Sequence, residues 1–110
     1  MLIEFWASWC LPCRGESFNL VRTIEKYKNR NFTILSISLD DEKRAWLKAI
    51  NSDGLNWTHL SDLKGWENEV STNYFITSIP INYLIDPSGK IIARNLRGDQ
   101  LNTFINSLKL

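Results

Sequence analysis

Two kinds of hydrophobic pattern alternate along the chain and together predict the order of its elements. Four runs are rich in apolar and β-branched residues, as buried strands are, and they cover 2–7, 32–39, 81–86 and 90–94. Between and after them, apolar residues recur at helical spacing in 11–29, from Asp40 to Gly54, in 65–73 and from Leu101 to Leu108. The segment 55–63 follows neither pattern and is expected to be irregular.

This order predicts an α/β fold with a mixed sheet. A helix separates the first two strands, so they should be parallel and joined by a right-handed crossover. The residues Pro87-Ser88-Gly89 are of the types that favour a turn, and the last two strands should form an antiparallel hairpin around them. The prediction is therefore a four-stranded sheet, two strands parallel and two in a C-terminal hairpin, with helices packed on its faces.

Composition and charge narrow the class of protein. A chain of 110 residues with 44% hydrophobic and 23% charged residues is one globular domain, 1–110, and not a disordered segment. A formal net charge of +1 gives no electrostatic case for binding nucleic acid. No apolar run approaches the roughly 18 residues that a membrane span needs. Because a strand-like run follows Met1 at once, we expect a fragment that lacks upstream strands.

The sequence Trp9-Cys10-Leu11-Pro12-Cys13 carries the most specific chemistry. It lies where the first strand gives way to the first helix, and the N–H groups and dipole of a helix N-terminus stabilise a thiolate. The spacing lets the two sulfurs meet across one helical turn, and Pro12 is tolerated in that turn because its missing N–H would have no partner. The motif therefore favours redox chemistry.

Other uses of a cysteine pair remain open at this point. Two cysteines and His59 fall short of four zinc ligands, so a zinc site would need carboxylates or a second subunit. Covalent haem attachment requires a histidine directly after the second cysteine, and this chain has Arg14 there. An iron–sulfur cluster is also short of ligands. Two buried, inert thiols are the remaining alternative.

Nearly the whole chain resembles a known family. The matching stretches are Phe5-Trp6-Ala7-Ser8-Trp9-Cys10-Leu11-Pro12-Cys13-Arg14, 33–40, Ser78-Ile79-Pro80, 86–92 and 96–98. They resemble the thioredoxin superfamily and, within it, the TlpA/ResA-like thiol–disulfide oxidoreductases of bacterial envelopes, which are related to AhpC/TSA proteins. The resemblance implies a thioredoxin-like fold with an extra segment after the second strand. Leu11 departs from the small or acidic residue that is commoner between the cysteines.

The resemblance also implies how the motif works. Cys10 would be the attacking nucleophile and Cys13 the less exposed, resolving thiol. Pro80 would be a cis-proline lying against the cysteines, although a proline at the entry to a strand is also ordinary. The expected substrate-binding residues are Trp9, Leu11, Pro12, Ile79 and Pro80, with the Ile79 backbone pairing with an extended substrate.

Two acidic residues are candidates for proton transfer or for tuning the thiols. Glu4 interrupts an apolar strand, where burial would raise its pKa and let it take the proton of Cys13; a solvated acid at a sheet edge is the alternative. Glu16 follows Cys13 by one helical turn, where relatives place an acid in the substrate cavity; simple placement near a helix N-terminus is the alternative.

The remaining aromatic and acidic residues favour ordinary structural roles. We expect Trp6 in the core, Trp46, Trp57 and Trp66 in packing positions, His59 exposed, and Asp40-Asp41-Glu42 at the start of a helix. None of these positions is expected to bind a metal.

The sequence therefore predicts a protein disulfide reductase of the bacterial periplasm or the outer face of the cell envelope. By resemblance, its substrates would be disulfides in apocytochromes (cytochrome c biogenesis) or other exported proteins, and a partner thiol system would supply electrons. No metal or organic cofactor, no nucleic acid, no membrane span and a monomeric state are expected. The alternatives are a thiol peroxidase, a redox-inactive binding module and a zinc-bridged dimer.

Overall fold

The computed structural model describes residues 1–108 and, within them, five strands and four α-helices. The strands are β1 (Leu2–Trp6), β2 (Ile34–Ser38), β3 (Thr58–Leu60), β4 (Ile81–Ile85) and β5 (Ile91–Arg94). The helices are α1 (Leu11–Tyr27), α2 (Lys43–Asp53), α3 (Glu69–Asn73) and α4 (Asp99–Ser107), and a short 3-10 turn (Gly65–Glu67) precedes α3.

The strands form one mixed sheet in the order β3-β2-β1-β4-β5. β2 pairs parallel with both β1 and β3, whereas β4 pairs antiparallel with β1 and with β5. The predicted thioredoxin-like arrangement, with its parallel pair and C-terminal hairpin, is confirmed. The predicted number of strands was wrong by one. β3 spans only three residues inside the segment expected to be irregular, and a strand so short shows too little alternation to be recognised.

Alternation along β1 assigns its side chains to two different layers. Leu2 and Trp6 point to the face covered by α1, α2 and α4, where Leu2 packs with the helical residue Leu101 and Trp6 packs with Ala49. Phe5 points to the opposite face, against a smaller cluster built from the sheet and the segment after α3. Glu4 therefore lies on the helix-covered face, between the two buried clusters.

The buried stripe of α1 is more polar than its sequence suggests. Phe18, one of the apolar residues at helical spacing in 11–29, is 70% exposed, and Ser17 and Thr23 are buried instead. Thr23 is accommodated because its hydroxyl lies 3.0 Å from the Asn19 carbonyl and 2.8 Å from the Asn102 side chain of α4. Hydrogen bonding, which the hydrophobic pattern does not report, moves the buried face of this helix.

None of the helices within residues 1–108 is both long and apolar enough to cross a membrane.

Candidate active site

The two cysteines sit at the start of α1, directly after the loop that follows β1. Cys10 is the N-cap residue, with extended backbone angles, and its sulfur accepts the Cys13 N–H at 3.2 Å. The two residues are joined by a disulfide, with their Cα atoms 5.2 Å apart. Cys10 is 6% exposed and Cys13 is fully buried, so a partner can reach only the Cys10 sulfur.

Ile79 and Pro80 face this disulfide from the entry of β4. The Ile79–Pro80 peptide bond is cis, and the Ile79 carbonyl oxygen lies 4.0 Å from Cys10 Sγ. The Arg97 guanidinium donates a hydrogen bond to the Pro80 carbonyl oxygen at 2.6 Å, which fixes the far side of this backbone. The structure therefore brings the predicted cysteines and the Ile79–Pro80 pair together.

Exposed apolar side chains surround the Cys10 sulfur. Leu11 is 81% exposed and Pro12 is also exposed. Trp9 is half exposed, and its ring centroid lies 6.2 Å from that of Trp66 in the 3-10 turn. Trp66 was expected in a packing position, and it is not in the core: this indole is 48% exposed and extends the apolar surface beside Trp9.

The Asp40 carboxylate holds the active-site loop in place through hydrogen bonds to Ser8. Its carboxylate accepts the Ser8 N–H at 3.1 and 3.2 Å and the hydroxyls of Ser8 and Ser38. Asp40 was expected to start a helix, but α2 begins at Lys43 and Asp40 is 1% exposed. The signal for its role is the pairing of two parallel strands, whose carboxyl ends bring Ser8 and Asp40 to the same edge of the sheet.

Asp40→Asn will lower the free energy of unfolding by about 2 kcal/mol, because one acceptor oxygen is replaced by an amide that faces donors. Urea denaturation measures this loss, and Asp41→Asn at the exposed neighbouring position is the control. Equal unfolding free energies for the Asp40 variant and the wild type would contradict this role for Asp40.

Arg14 and Asp53 clamp α1 to the end of α2. The Arg14 Nε and Nη2 atoms donate to the two carboxylate oxygens of Asp53 at 2.7 and 2.8 Å. The pairing lowers the pKa of Asp53 and raises that of Arg14. Sequence reasoning missed this pair because its members lie far apart in the chain.

A buried hydrogen-bonded chain leads to Glu4. The Trp57 Nε1–H donates to Ser36 Oγ at 2.8 Å, and the Ser36 hydroxyl donates to Glu4 Oε1 at 2.6 Å. Glu4 is 2% exposed, and burial raises its pKa to about 7, against the lowering effect of the Ser36 hydrogen bond; the charge of Glu16 adds to the rise. This residue is therefore poised to gain and lose a proton near neutral pH.

Glu16 lies close enough to Glu4 to influence it, but its own hydrogen bonds are to backbone and amide groups. Its carboxylate accepts the Gly98 N–H at 2.9 Å and the Asn19 side-chain N–H at 3.4 Å. Gly98 is the N-cap residue of α4. Glu16 thus joins the active-site helix to the start of the C-terminal helix.

His59 was expected to be exposed, but it is half-buried. Its ring stacks on Trp57 with centroids 5.5 Å apart and meets the edge of Trp6 at 5.8 Å. Its Nε2 atom lies 2.9 Å from the Leu55 carbonyl oxygen, and burial lowers its pKa. Within residues 1–108, no group of three or more histidine, cysteine or acidic side chains converges as a metal site would require.

Comparison with known proteins gives concordant matches. Residues 1–94 match the model of the AhpC/TSA family. Among solved structures, a thiol-disulfide oxidoreductase from Bacteroides fragilis NCTC 9343 is 40% identical with a TM-score of 0.90, and the match covers 97% of this chain and 79% of that one.

Two curated proteins extend the comparison. The thiol-disulfide oxidoreductase ResA of Bacillus subtilis (strain 168) is 25% identical over 112 residues, covering 99% of this chain and 61% of that protein. A thiol:disulfide interchange protein DsbE homolog of Paracoccus denitrificans (strain Pd 1222) is 30% identical over 113 residues, covering 98% and 59%. The chain thus spans about three-fifths of the length of these curated relatives.

Proposed function

Since this chain belongs to the AhpC/TSA family, as a ResA-like member of the thioredoxin superfamily, we propose that it reduces disulfides in partner proteins through a Cys10–Cys13 dithiol–disulfide cycle. The observation that carries this proposal is the disulfide at the N-terminus of α1, with the Cys13 N–H directed at Cys10 Sγ. A thiolate formed at Cys10 would keep this hydrogen bond and lie at the positive end of the helix dipole.

The first half of the cycle forms a bond to the substrate. In the reduced protein, the Cys10 thiolate attacks one sulfur of a substrate disulfide, and the other substrate sulfur leaves as a thiolate. The product is a mixed disulfide between Cys10 and the substrate. Cys10 is assigned this step because it is the more accessible of the two sulfurs.

The second half releases the substrate. Cys13 gives its proton to the Glu4 carboxylate and attacks Cys10 Sγ, the substrate sulfur leaves as a thiolate, and the Cys10–Cys13 disulfide remains. Two electrons have then moved from the protein to the substrate. The position of Glu4 supports this role. Glu4 shares a face of β1 with Trp6, which belongs to the same buried cluster as both cysteines, and the charge of Glu16, one turn beyond Cys13, raises its pKa.

The surroundings of Cys10 suit a polypeptide substrate. Trp9, Leu11 and Pro12 offer exposed apolar contacts on the motif itself. Ile79 offers its carbonyl oxygen 4.0 Å from the sulfur, next to the ring of Pro80, and a substrate segment in extended form would lie there. These five residues are the proposed substrate-binding set.

The resemblance extends the proposal to the cellular setting. We place the protein in the periplasm or on the outer face of the bacterial envelope, acting as a monomer on apocytochromes or other exported proteins. A partner thiol protein would return electrons to the Cys10–Cys13 disulfide. Because the two sulfurs carry both electrons, the cycle needs no metal or organic cofactor.

A redox titration tests the proposal. The protein is equilibrated in glutathione or dithiothreitol buffers, followed by tryptophan fluorescence, and checked by thiol alkylation and mass, with Cys10→Ser as the control that shows no transition. A reversible two-electron transition near or below about −230 mV is expected of a reductase. A value near about −120 mV would reverse the proposed direction of electron flow. No reversible transition would overturn the oxidoreductase function and favour a binding module.

A further inference from the structure

The buried chain that ends on Glu4 suggests a role for two residues that carry no redox chemistry themselves. We propose that Ser36 and Trp57 are positioning residues that hold the Glu4 carboxylate ready to take the proton of Cys13, and so set the pH range in which the protein turns over. This inference rests on the proposed function, because it assigns Glu4 the proton of the resolving thiol.

The directions of the two hydrogen bonds at Ser36 support this positioning role. An indole N–H can only donate, so the Trp57 Nε1–H at 2.8 Å from Ser36 Oγ occupies an acceptor site of the hydroxyl. The single hydroxyl hydrogen of Ser36 is then free to point at Glu4 Oε1, 2.6 Å away. Such a charge-assisted bond favours the ionised carboxylate over the neutral acid.

The strand register makes this contact a property of the fold. Glu4 on β1 and Ser36 on β2 are direct partners in the parallel pairing, and both are at most 2% exposed. At such a buried position, each hydrogen bond to the carboxylate has a larger effect than it would at an exposed one. Ser36 therefore opposes the burial that raises the pKa of Glu4.

The other groups around Glu4 do not replace this donor. Glu16, from α1, is negative and raises the pKa of Glu4. Asn82, the partner of Glu4 on β4, uses its side-chain amide for hydrogen bonds to the Leu96 backbone.

Two basic side chains nearby are also directed elsewhere. The His59 ring, on the β3 partner of Ser36, is directed at the Leu55 carbonyl, and burial favours its neutral form. From the connection before α4, the Arg97 cation is directed at the Pro80 carbonyl.

The first test is independent of activity. The oxidised protein, with Glu4 labelled by ¹³C at its carboxyl carbon, is titrated by NMR. Ser36→Ala is expected to raise the Glu4 midpoint by about one pH unit, the usual effect of one hydrogen bond to a charged group. Trp57→Phe should raise it by less, and Ser36→Thr should restore it. Ser38→Ala, which removes a buried hydroxyl from the same face of the same strand, is the matched control and should leave the midpoint unchanged.

The second test is the pH profile of substrate release from the mixed disulfide in a single turnover with a peptide disulfide. Ser36→Ala should release substrate about fivefold more slowly at pH 7 and approach the wild-type rate by about pH 9. A purely structural role would lower the rate equally at every pH, and that result would overturn the proposal.

The two tests separate this inference from the proposed function. A Glu4 midpoint that Ser36→Ala and Trp57→Phe both leave unmoved contradicts the positioning role even if the protein is an active reductase. Wild-type protein that reduces no disulfide at any pH contradicts the proposed function, while the NMR titration still decides whether Ser36 and Trp57 position Glu4. If Ser36→Ala does not fold, a raised midpoint in Trp57→Phe beside a wild-type midpoint in Ser36→Thr supports the positioning role, and an unmoved midpoint in Trp57→Phe contradicts it.

Discussion

Cys13→Ser will stop turnover, by at least about a thousandfold, and leave the protein covalently joined to its substrate. Cys10 keeps its accessible sulfur in this variant and can still attack a disulfide, but the buried group that would displace the substrate is gone. The hydroxyl of serine is too weak an acid to replace the thiolate at neutral pH. The mixed disulfide should therefore accumulate in place of product.

Non-reducing electrophoresis and intact mass measure the trapped adduct, and a steady-state assay with a peptide disulfide measures turnover. Cys10→Ser is the matched control, since it should lose turnover without forming an adduct. Adducts that form on Cys13 in the Cys10→Ser variant, and not on Cys10 in the other, would reverse the assignment of the two roles.

Glu4→Gln will make the protein more stable at alkaline pH and less active. The pKa of Glu4 is raised by burial from 4.5 in the unfolded chain to about 7 in the folded protein. The folded state therefore binds the proton more tightly, and ionising Glu4 destabilises it progressively as the pH rises from about 4.5 to about 7. Glutamine resembles the neutral acid at every pH, so the variant escapes this loss.

The expected gain is close to zero at pH 4.5 and reaches about 3 kcal/mol above pH 7, because each pKa unit corresponds to about 1.4 kcal/mol. Urea denaturation of the oxidised protein at pH 4.5 and pH 8.5 measures it. Glu67→Gln, at an exposed position, is the control and should show no such dependence on pH. A gain of the same size at both pH values would show that ionisation of Glu4 is not its cause.

Loss of activity should accompany this gain in stability. Without a carboxylate to accept its proton, Cys13 should displace the substrate about a hundredfold more slowly at pH 7, the usual contribution of a positioned general base. Substrate release from a preformed mixed disulfide isolates this step from the first attack. A Glu4→Gln variant that releases substrate at the wild-type rate would remove Glu4 from the mechanism.

The active-site motif and the sheet that carries it could be predicted because both are local signals. Trp9-Cys10-Leu11-Pro12-Cys13 lies between an apolar run and a helical pattern, and the hairpin turn after β4 is short. The acid at Glu4 stood out for the same reason, since a charge interrupts a buried strand. These features need no knowledge of distant partners.

The features that could not be predicted all depend on contacts between distant segments. Asp40 looks like a helix cap until β1 and β2 are paired and the Ser8 donors lie above it. Ser36 looks like an ordinary polar residue until its partner in the register is known to be Glu4. Trp66 is a large apolar residue of the kind expected in packing, and only the folded structure shows that it lies exposed beside Trp9.

The connection between β5 and α4 limits how this protein can open. The Asn82 side chain accepts the Leu96 N–H at 3.1 Å and donates to the Leu96 carbonyl oxygen at 2.8 Å. The Glu16 carboxylate accepts the N–H of Gly98. The C-terminal helix therefore cannot detach without breaking hydrogen bonds to the central sheet and to the helix that carries the cysteines. In the language of local unfolding, the two helices belong to one cooperative unit. We therefore expect the changes between oxidised and reduced protein to be confined to the cysteine turn, while the surrounding helices and sheet keep their arrangement.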